Sequence, residues 1–267
     1  MRFKWLMVGC VYFLVLRSFA GDVYYEGTNT FRGYGKVDLN WMVQFLPYNP
    51  VILEVGAYQG AETLYAAKIW PHAKVIACEP SPRAFYELKQ AIINAQLDNV
   101  AIHNCAISDY TGSAVLYCFR SIFDDDFSYE QKNSLLPPFF SPQQNHFHFE
   151  MYVPCFCLDE FCAENGIQHV DVLNLNTDGL ELQILQASPK ILKSVKLIIL
   201  PSFFYLARMG TPDYFTLKQF LTDAHFLPLA HWYINGECGR AVYISQELYD
   251  AYFVRCLGLG LGGLSYP

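Results

Sequence analysis

Short apolar runs and amphipathic segments alternate along the chain from about residue 49 onward. Short apolar runs are typical of buried strands, and apolar residues that recur every three or four positions are typical of helices. The pattern predicts strands over residues 51–55, 74–78, 100–105, 171–175, 195–200, 226–229 and 240–244. It predicts helices over residues 61–70, 158–165, 180–187 and 212–224, and another that begins after Ser81-Pro82. This alternation favours an α/β fold with a mostly parallel sheet and helices on both faces.

The middle of the chain, residues 109–157, follows a different pattern. Residues 113–119 and 151–157 are predicted as strands that pair with each other. Between them lies a long loop rich in Asp, Pro, Phe and His, and such loops are often functional. No internal repeat or linker is visible, so we predict one domain over residues 49–246, with a lead-in segment over 21–48 and a tail over 247–267.

The first twenty residues have the pattern of a secretory signal peptide. Arg2 and Lys4 precede a 12-residue apolar run, and small residues at 18 and 20 follow it. The run is shorter than the roughly 20 apolar residues that span a bilayer. We therefore expect residues 1–20 to be a signal peptide or a membrane anchor, and the protein to be exported or anchored. A cytoplasmic protein is the alternative.

Composition narrows the class of protein. The chain has 267 residues, 53% of them apolar, and a formal net charge of −7. This apolar content excludes disordered and collagen-like classes. No basic stripe is present, so we do not expect a nucleic acid partner. The cysteines lack paired C-x2-C spacings, so the sequence does not indicate a zinc site.

The stretch VILEVGAYQG, residues 51–60, places a carboxylate inside a buried strand. A charge at Glu54 is unfavourable there unless a partner needs it. In open parallel sheets, ligands bind beyond the carboxyl ends of the strands, where Gly56 permits a tight turn. Gly60 precedes a helix, whose N-terminus favours negative charge. The G-x-x-x-G spacing differs from the G-x-G-x-x-G of dinucleotide folds, which argues against a nicotinamide-dependent oxidoreductase.

A second carboxylate, Glu79, follows Glu54 by 25 residues and ends the second predicted strand. A carboxylate at this position is placed to accept both hydroxyls of a ribose. The ordered set of strand carboxylate, glycine turn, helix, strand and Glu-Pro is a stronger signal than any one of its parts.

Four runs together identify the chain as similar to a known family. They are EVGAYQGAET, VIACEPSPRAFYELKQAI, NVAIHNCAISDYTGSAVLY and VPCFCLDEFCAENGIQHVDVLNLNTDGLELQILQASPKIL. They resemble the FkbM-type S-adenosylmethionine-dependent methyltransferases over about residues 49–244. The resemblance implies a Rossmann-like methyltransferase fold, S-adenosylmethionine as cofactor, and O-methylation of a small-molecule or sugar acceptor.

The resemblance also assigns residues to the cofactor. Glu54 and the turn formed by Gly56, Ala57 and Gly60 would face its methionine part, whose ammonium gives Glu54 a partner.

Glu79 would bind the ribose hydroxyls of the cofactor. Ser108 and Asp109 would lie near the adenine, with Asp109 accepting from its amino group. Asp109 also reads as a turn former in SDYTG, and both interpretations stay open.

The chain departs from the family at the end of the fourth strand of the parallel sheet. The family typically has K-x-D-x-E-G-x-E there, and this chain has Asn174, Asn176, Asp178 and Glu181 at the charged positions. Pro201 stands where the family often has a glutamate. Asn176, Asp178 and Glu181 are candidate catalytic residues. The alternative is that Asp178 caps the following helix and Glu181 reaches back to its start.

Other candidates lie further from these motifs. His231 is a candidate general base, or else a partly buried residue at the edge of the sheet. Asn133 and Ser134 are candidates to line an acceptor pocket. His146 and His148 could bind a metal together with the acidic run 124–126, but solvated loop charge is the default interpretation.

Two functions follow from these observations. The first is an S-adenosylmethionine-dependent O-methyltransferase, favoured by Glu54, Gly56, Gly60 and Glu79. The second is a catalytically degenerate binding protein of the same fold, favoured by the predicted export signal and by the two asparagines. An asparagine can orient a hydroxyl but cannot take its proton, and a general base contributes typically ~10²- to 10⁴-fold to a rate.

Overall fold

The structure is a computed structural model and describes residues 42, 45–121, 132–138, 146–203, 208–235 and 238–256. The predicted signal or anchor at 1–20 lies outside these residues. No helix among the described residues is long and apolar enough to cross a membrane.

The described residues form ten strands and six α-helices. In chain order they are β1 (Val51–Val55), α1 (Ala61–Ile69), β2 (Lys74–Cys78), α2 (Pro82–Asn94), β3 (Val100–His103), β4 (Ala106–Ser108), β5 (Gly112–Ser121), β6 (His146–Cys157), α3 (Leu158–Glu164), β7 (Val172–Leu175), α4 (Glu181–Gln186), β8 (Leu197–Phe203), α5 (Tyr214–Asp223), β9 (Phe226–Asn235), β10 (Cys238–Ser245) and α6 (Gln246–Cys256). A short 3₁₀ helix covers Ile191–Ser194. Every predicted strand and helix is present. Helix α6 occupies a segment that the sequence analysis assigned to the tail.

Seven strands form the main sheet in the order β3-β2-β1-β7-β8-β10-β9. Neighbouring strands are parallel except for β10, which is antiparallel to both β8 and β9. The strand order reverses between β1 and β7, and ligands bind at such a reversal in open α/β sheets. This arrangement confirms the predicted Rossmann-like fold.

The two faces of the main sheet carry separate apolar cores. Leu53 and Val55 of β1 lie on the face covered by α3, α4 and α5. Ile52 lies on the opposite face, against α1 and α6, and a smaller cluster buries Leu88 and Ile92 of α2. Because side chains alternate along a strand, Glu54 lies on the same face as Ile52, beneath α1.

The middle of the chain forms a second sheet in the order β4-β6-β5. Strand β5 is antiparallel to β6 over ten residue pairs, which confirms the predicted pairing. Ser134, from the connection between them, bridges to Tyr117 of β5. The described segment 132–138 therefore lies against this smaller sheet.

Side-chain caps fix the starts of two helices. The hydroxyl of Ser81 accepts a hydrogen bond from the N–H of Ala84, and Pro82 occupies the first turn of α2, as the sequence predicts. Helix α5 was predicted to begin at residue 212, directly after Thr211, but it begins at Tyr214. The reason is that Asp213 caps the helix by accepting a hydrogen bond from the N–H of Thr216.

We expect Gly56→Ala to destabilise the fold by at least about 3 kcal/mol. Gly56 has φ +79°, and a Cβ there would lie 2.1 Å from the carbonyl oxygen of Asn176. Gly166→Ala is the matched control, because Gly166 has φ +65° and nothing within 4 Å of its Cβ position. The control should lose only about 1–2 kcal/mol. Equal losses for both variants in chemical denaturation would show that the close approach at Gly56 is unimportant.

Candidate active site

The glycine turn after β1 joins three strands at the reversal of strand order. The N–H groups of Gly56 and Ala57 donate to the carbonyl of Cys78 at the end of β2, at 2.9 and 3.1 Å. On the other side, the N–H of Asn176 donates to the carbonyl of Val55 at 2.8 Å. Gly60 ends the turn as the N-cap of α1, with φ +84°. Backbone hydrogen bonds therefore hold this turn between the ends of β2 and β7.

Glu79 ties this turn to the end of β2. Its side chain is 5% exposed and accepts from the N–H of Tyr58 at 2.7 Å and of Ser81 at 2.9 Å. A carboxylate has two oxygen atoms and can accept several hydrogen bonds at once. Asn104, in the connection from β3 to β4, donates to the backbone carbonyl of Glu79 at 2.8 Å. The carboxylate of Glu79 thus lies where β1, β2 and the β3–β4 connection meet.

Glu54 is 4% exposed and accepts a hydrogen bond from the hydroxyl of Thr63 on α1. Burial, together with the nearby Glu62, raises the pKa of Glu54 to about 8, against the opposing effects of Thr63 and Arg240. Glu54 therefore holds a proton at pH 7.

A buried arginine from a distant strand completes this cluster. The Nη2 atom of Arg240 lies 2.7 Å from Oδ1 of Asn174 and 3.2 Å from Oε2 of Glu62. The side-chain amide of Asn174 donates to the same Glu62 oxygen at 2.8 Å. A cation thus lies at this end of β7, although residue 174 is uncharged. Arg240 was not predicted as a site residue. The sequence does contain a signal for it, because Arg240 directly precedes the apolar run AVYI and is therefore, like Glu54, a charge in a predicted buried strand.

The turn from β7 to α4 contains the other predicted catalytic residues. Asp178 has φ +56° and accepts from Nε of Arg208 at 2.7 Å. Glu181 accepts from the N–H and hydroxyl of Thr177, both at 2.9 Å, and from the N–H of Gly179 at 3.0 Å. Burial raises the pKa of Glu181.

Helix α4 has Leu180 as its N-cap, so the alternative role of Asp178 as a helix cap is wrong. The carboxylate of Asp178 accepts from Arg208 instead of capping the helix. The part of that interpretation in which Glu181 reaches back to the preceding turn is confirmed.

Arg208 and the segment 132–138 hold the β7–α4 turn from outside. Arg208 is buried, donates to the carbonyl of Lys132, and lies 5.1 Å from the centre of the Phe119 ring. The hydroxyl of Ser134 lies 3.1 and 3.3 Å from the carbonyl oxygens of Thr177 and Asp178. The hydroxyl of Ser134 is thereby used inside the fold.

Asn133, the other residue predicted to line an acceptor pocket, is also used by the fold. Its side-chain oxygen accepts from the N–H of Phe119 at 3.0 Å.

Ser108 and Asp109 lie at the end of β4, in the smaller sheet. Ser108 is buried and its hydroxyl donates to Oδ1 of the exposed Asp109 at 2.9 Å. Asp109 thus has a fixed orientation at the surface.

His231 lies apart from these residues, within β9. Its Nε2 is 2.6 Å from the hydroxyl oxygen of Ser202, and its ring stacks on Tyr214 with 5.4 Å between centroids. Burial lowers the pKa of His231, so the imidazole is neutral at pH 7. Three strands separate β9 from β1 in the sheet, a span of about 19 Å. The structure therefore does not bring His231 together with Glu54 and Glu79.

The metal hypothesis concerns residues whose side chains lie outside the described set, namely His146, His148 and the acidic run 124–126. Within the described ranges, no group of three or more His, Cys, Asp and Glu side chains is placed to hold a metal ion.

Known proteins with similar sequences carry related names. The chain is 25% identical over 158 residues to "Methyltransferase sdnD" of Sordaria araneosa, covering 53% of this chain and 61% of that protein. It is also 25% identical over 158 residues to "2-O-methyltransferase NoeI" of Sinorhizobium fredii, covering 56% of this chain and 62% of that protein. The match thus spans less than two thirds of the length of these relatives.

A solved structure, the methyltransferase FkbM from Methylobacillus flagellatus, superposes with a TM-score of 0.47 at 11% identity, over 74% of this chain and 44% of that one. Residues 54–227, about 65% of the chain, match the family described as the Methyltransferase FkbM domain. The matched region begins at Glu54 and contains the glycine turn, Glu79 and the whole β7–α4 turn. The chain therefore belongs to the FkbM methyltransferase family.

Proposed function

We propose that this protein is an S-adenosylmethionine-dependent methyltransferase that acts on a hydroxyl of a small molecule or carbohydrate. The observation that carries the proposal is the pair of buried carboxylates, Glu54 and Glu79, at the carboxyl ends of adjacent strands and joined by one glycine turn. Family membership supports methyl transfer. The printed name of one relative, a 2-O-methyltransferase, supports an oxygen acceptor.

The residues present fit this cofactor. Glu79 supplies a carboxylate, the group that accepts hydrogen bonds from a ribose diol, and Glu54 supplies a carboxyl group that can pair with an ammonium once ionised. When bound, the cofactor supplies a methyl group on a positively charged sulfur, which an oxygen nucleophile can attack. Ser108 and Asp109 would lie at the adenine end.

The chain's own contribution to the reaction is mainly positioning. Asp178 is paired with Arg208 and Glu181 is bonded to its own turn, so we assign both to holding the β7–α4 turn in place. Asn176, at the start of that turn, would orient the acceptor hydroxyl through its amide. Orienting the reacting atoms alone can supply much of a rate.

His231 would serve as base only for an acceptor that extends along the sheet edge to β9. Its neutral imidazole can take a proton, but its distance from β1 keeps it out of the cofactor cluster.

We retain export or membrane anchoring through residues 1–20 as a proposal about location. Because S-adenosylmethionine is made inside cells, location and activity have to be tested separately.

We expect S-adenosylhomocysteine to bind with micromolar affinity, and Glu79→Gln to weaken binding at least about 100-fold. The amide retains one acceptor oxygen where the carboxylate had two, and charge-assisted hydrogen bonds contribute about 1.5–3 kcal/mol each. Calorimetric titration measures this, with the exposed Glu164→Gln as matched control. Absence of binding to the folded wild type would contradict the proposed function.

Methyl transfer is the second test of the proposed function. We expect labelled methyl groups to pass from S-adenosylmethionine to a hydroxylated small molecule or sugar, and Glu79→Gln to abolish transfer at cofactor concentrations that saturate the wild type. Tight cofactor binding with no transfer to any of a broad set of such acceptors would favour the non-catalytic alternative.

We expect Glu54→Gln to stabilise the cofactor-free protein by about 1–3 kcal/mol at pH 7. The pKa of Glu54 is about 8 in the folded protein against 4.5 in the unfolded chain, so between these values the folded state binds more protons. Stability of the wild type should therefore fall as pH rises from about 4.5 to 8. Chemical denaturation across this range tests the prediction. A variant less stable than the wild type at every pH would contradict it.

A further inference from the structure

Three carboxylates and one guanidinium meet beside the reversal of strand order. Glu54 comes from β1, Glu62 from α1, Glu79 from the end of β2 and Arg240 from β10. Glu54 has no charged hydrogen-bond partner among the described contacts, because its partner is the hydroxyl of Thr63. The cluster therefore has more acidic groups than cations.

Arg240 forms its ion pair with Glu62 rather than with Glu54. Its Nη2 atom contacts both Glu62 and Asn174, and Asn174 donates to the same oxygen of Glu62. The Nε and Nη1 atoms of Arg240 are buried and have no hydrogen-bond partner within the described ranges. The described hydrogen bonds of the guanidinium thus all use one terminal nitrogen, and the negative charge that it contacts is that of Glu62.

A small cavity beneath α1 is lined by Glu54, Glu62 and Asn174. Trp70, the residue that follows α1, also lines it. The indole N–H of Trp70 is buried with no partner in the part of the chain that the structure describes. Glu54 and Glu62 therefore line the same cavity, where the charge of each affects the other.

These surroundings determine the charge of Glu54. Burial raises its pKa most, followed by Glu62, and Glu79 adds a smaller effect in the same direction; Thr63 and Arg240 lower the pKa. With a pKa of about 8, Glu54 is neutral in most molecules at pH 7. Glu62 and Arg240 then balance each other, and Glu79 is the remaining acidic group of the cluster.

We propose that Glu54 is a proton-exchanging site for a cationic ligand: it is neutral in the free protein and gives its proton to solvent when the ammonium of the ligand enters the crevice between β1 and β7. Arg240 is the positioning residue, because it holds Glu62 and Asn174 and limits the repulsion that ionised Glu54 would meet. This rests on the proposed function, which supplies the ligand. In each molecule in which Glu54 is neutral, one proton is released to buffer when one ammonium binds.

The proposal makes ligand selection depend on charge. A ligand that carries the ammonium gains a carboxylate partner through this proton release, and an otherwise similar ligand without it does not. S-adenosylhomocysteine carries the ammonium. 5′-Methylthioadenosine retains the adenine and ribose but lacks the amino acid, so it is the matched ligand control.

Calorimetry in two buffers of different ionisation enthalpy counts the protons released. At pH 7 the wild type should release about 0.9 proton per S-adenosylhomocysteine, because a group with a pKa of about 8 is about nine-tenths protonated there. The dissociation constant should fall about tenfold from pH 6 to pH 7 and level off above pH 8. The wild type should bind 5′-methylthioadenosine without proton release.

Variants separate Glu54 from other titrating groups. Glu54→Gln should bind S-adenosylhomocysteine more weakly, release no proton and lose the pH dependence below pH 8. The ligand's own amino group titrates equally in both proteins, so the comparison removes its effect. The exposed Glu160→Gln should behave as the wild type.

Arg240→Gln should move the midpoint of proton release to higher pH, and Arg240→Lys should keep it within about one pH unit of the wild type. If Arg240→Gln fails to fold, the wild type and Glu54→Gln decide the proposal. Binding of S-adenosylhomocysteine without proton release, or equal release with 5′-methylthioadenosine, would overturn this proposal and leave the proposed function intact. Failure of both ligands to bind would overturn the proposed function and this proposal with it.

Discussion

The close approach of two backbones at Gly56 is the constraint on which the site depends. The carbonyl oxygen of Asn176 lies 2.1 Å from the position of a Cβ at residue 56, so only glycine fits. This approach lets the turn after β1 bond to β2 on one side and to β7 on the other. Glu79 can then reach the N–H of Tyr58 within the same turn. Replacing Gly56 would separate the ends of three strands and with them the groups that we assign to the cofactor.

A buried carboxylate at the end of a strand is the second defining feature, and it is unfavourable in the free protein. Glu54 is kept neutral by its surroundings, and Arg240, the cation that lowers its pKa, is paired with Glu62. Groups that destabilise a fold in isolation are common at functional sites, where a ligand makes up the loss. The side chain of Glu54 therefore connects stability, pH and ligand binding.

Much of the fold could be predicted from the sequence, because apolar periodicity and glycine placement are local signals. The strand that contains Glu54, the helix cap at Ser81 and the pairing of β5 with β6 are of this kind. Arg240 was not predicted as a partner of Asn174, because 66 residues separate the two and only the position of β10 beside β8 brings them together. The pairing of Asp178 with Arg208 is similar, since local spacing favoured a helix cap and a distant guanidinium provides a stronger partner.

We infer that the carboxyl ends of β1 and β2 form a nucleoside site. A crystal structure of the protein with S-adenosylhomocysteine would decide this. Both ribose hydroxyls should lie within hydrogen-bonding distance of the carboxylate of Glu79, with the amino acid end directed toward Glu54 and Asn176. Clear density for the ligand elsewhere, or none at saturating concentration, would show that these strand ends do not form the site.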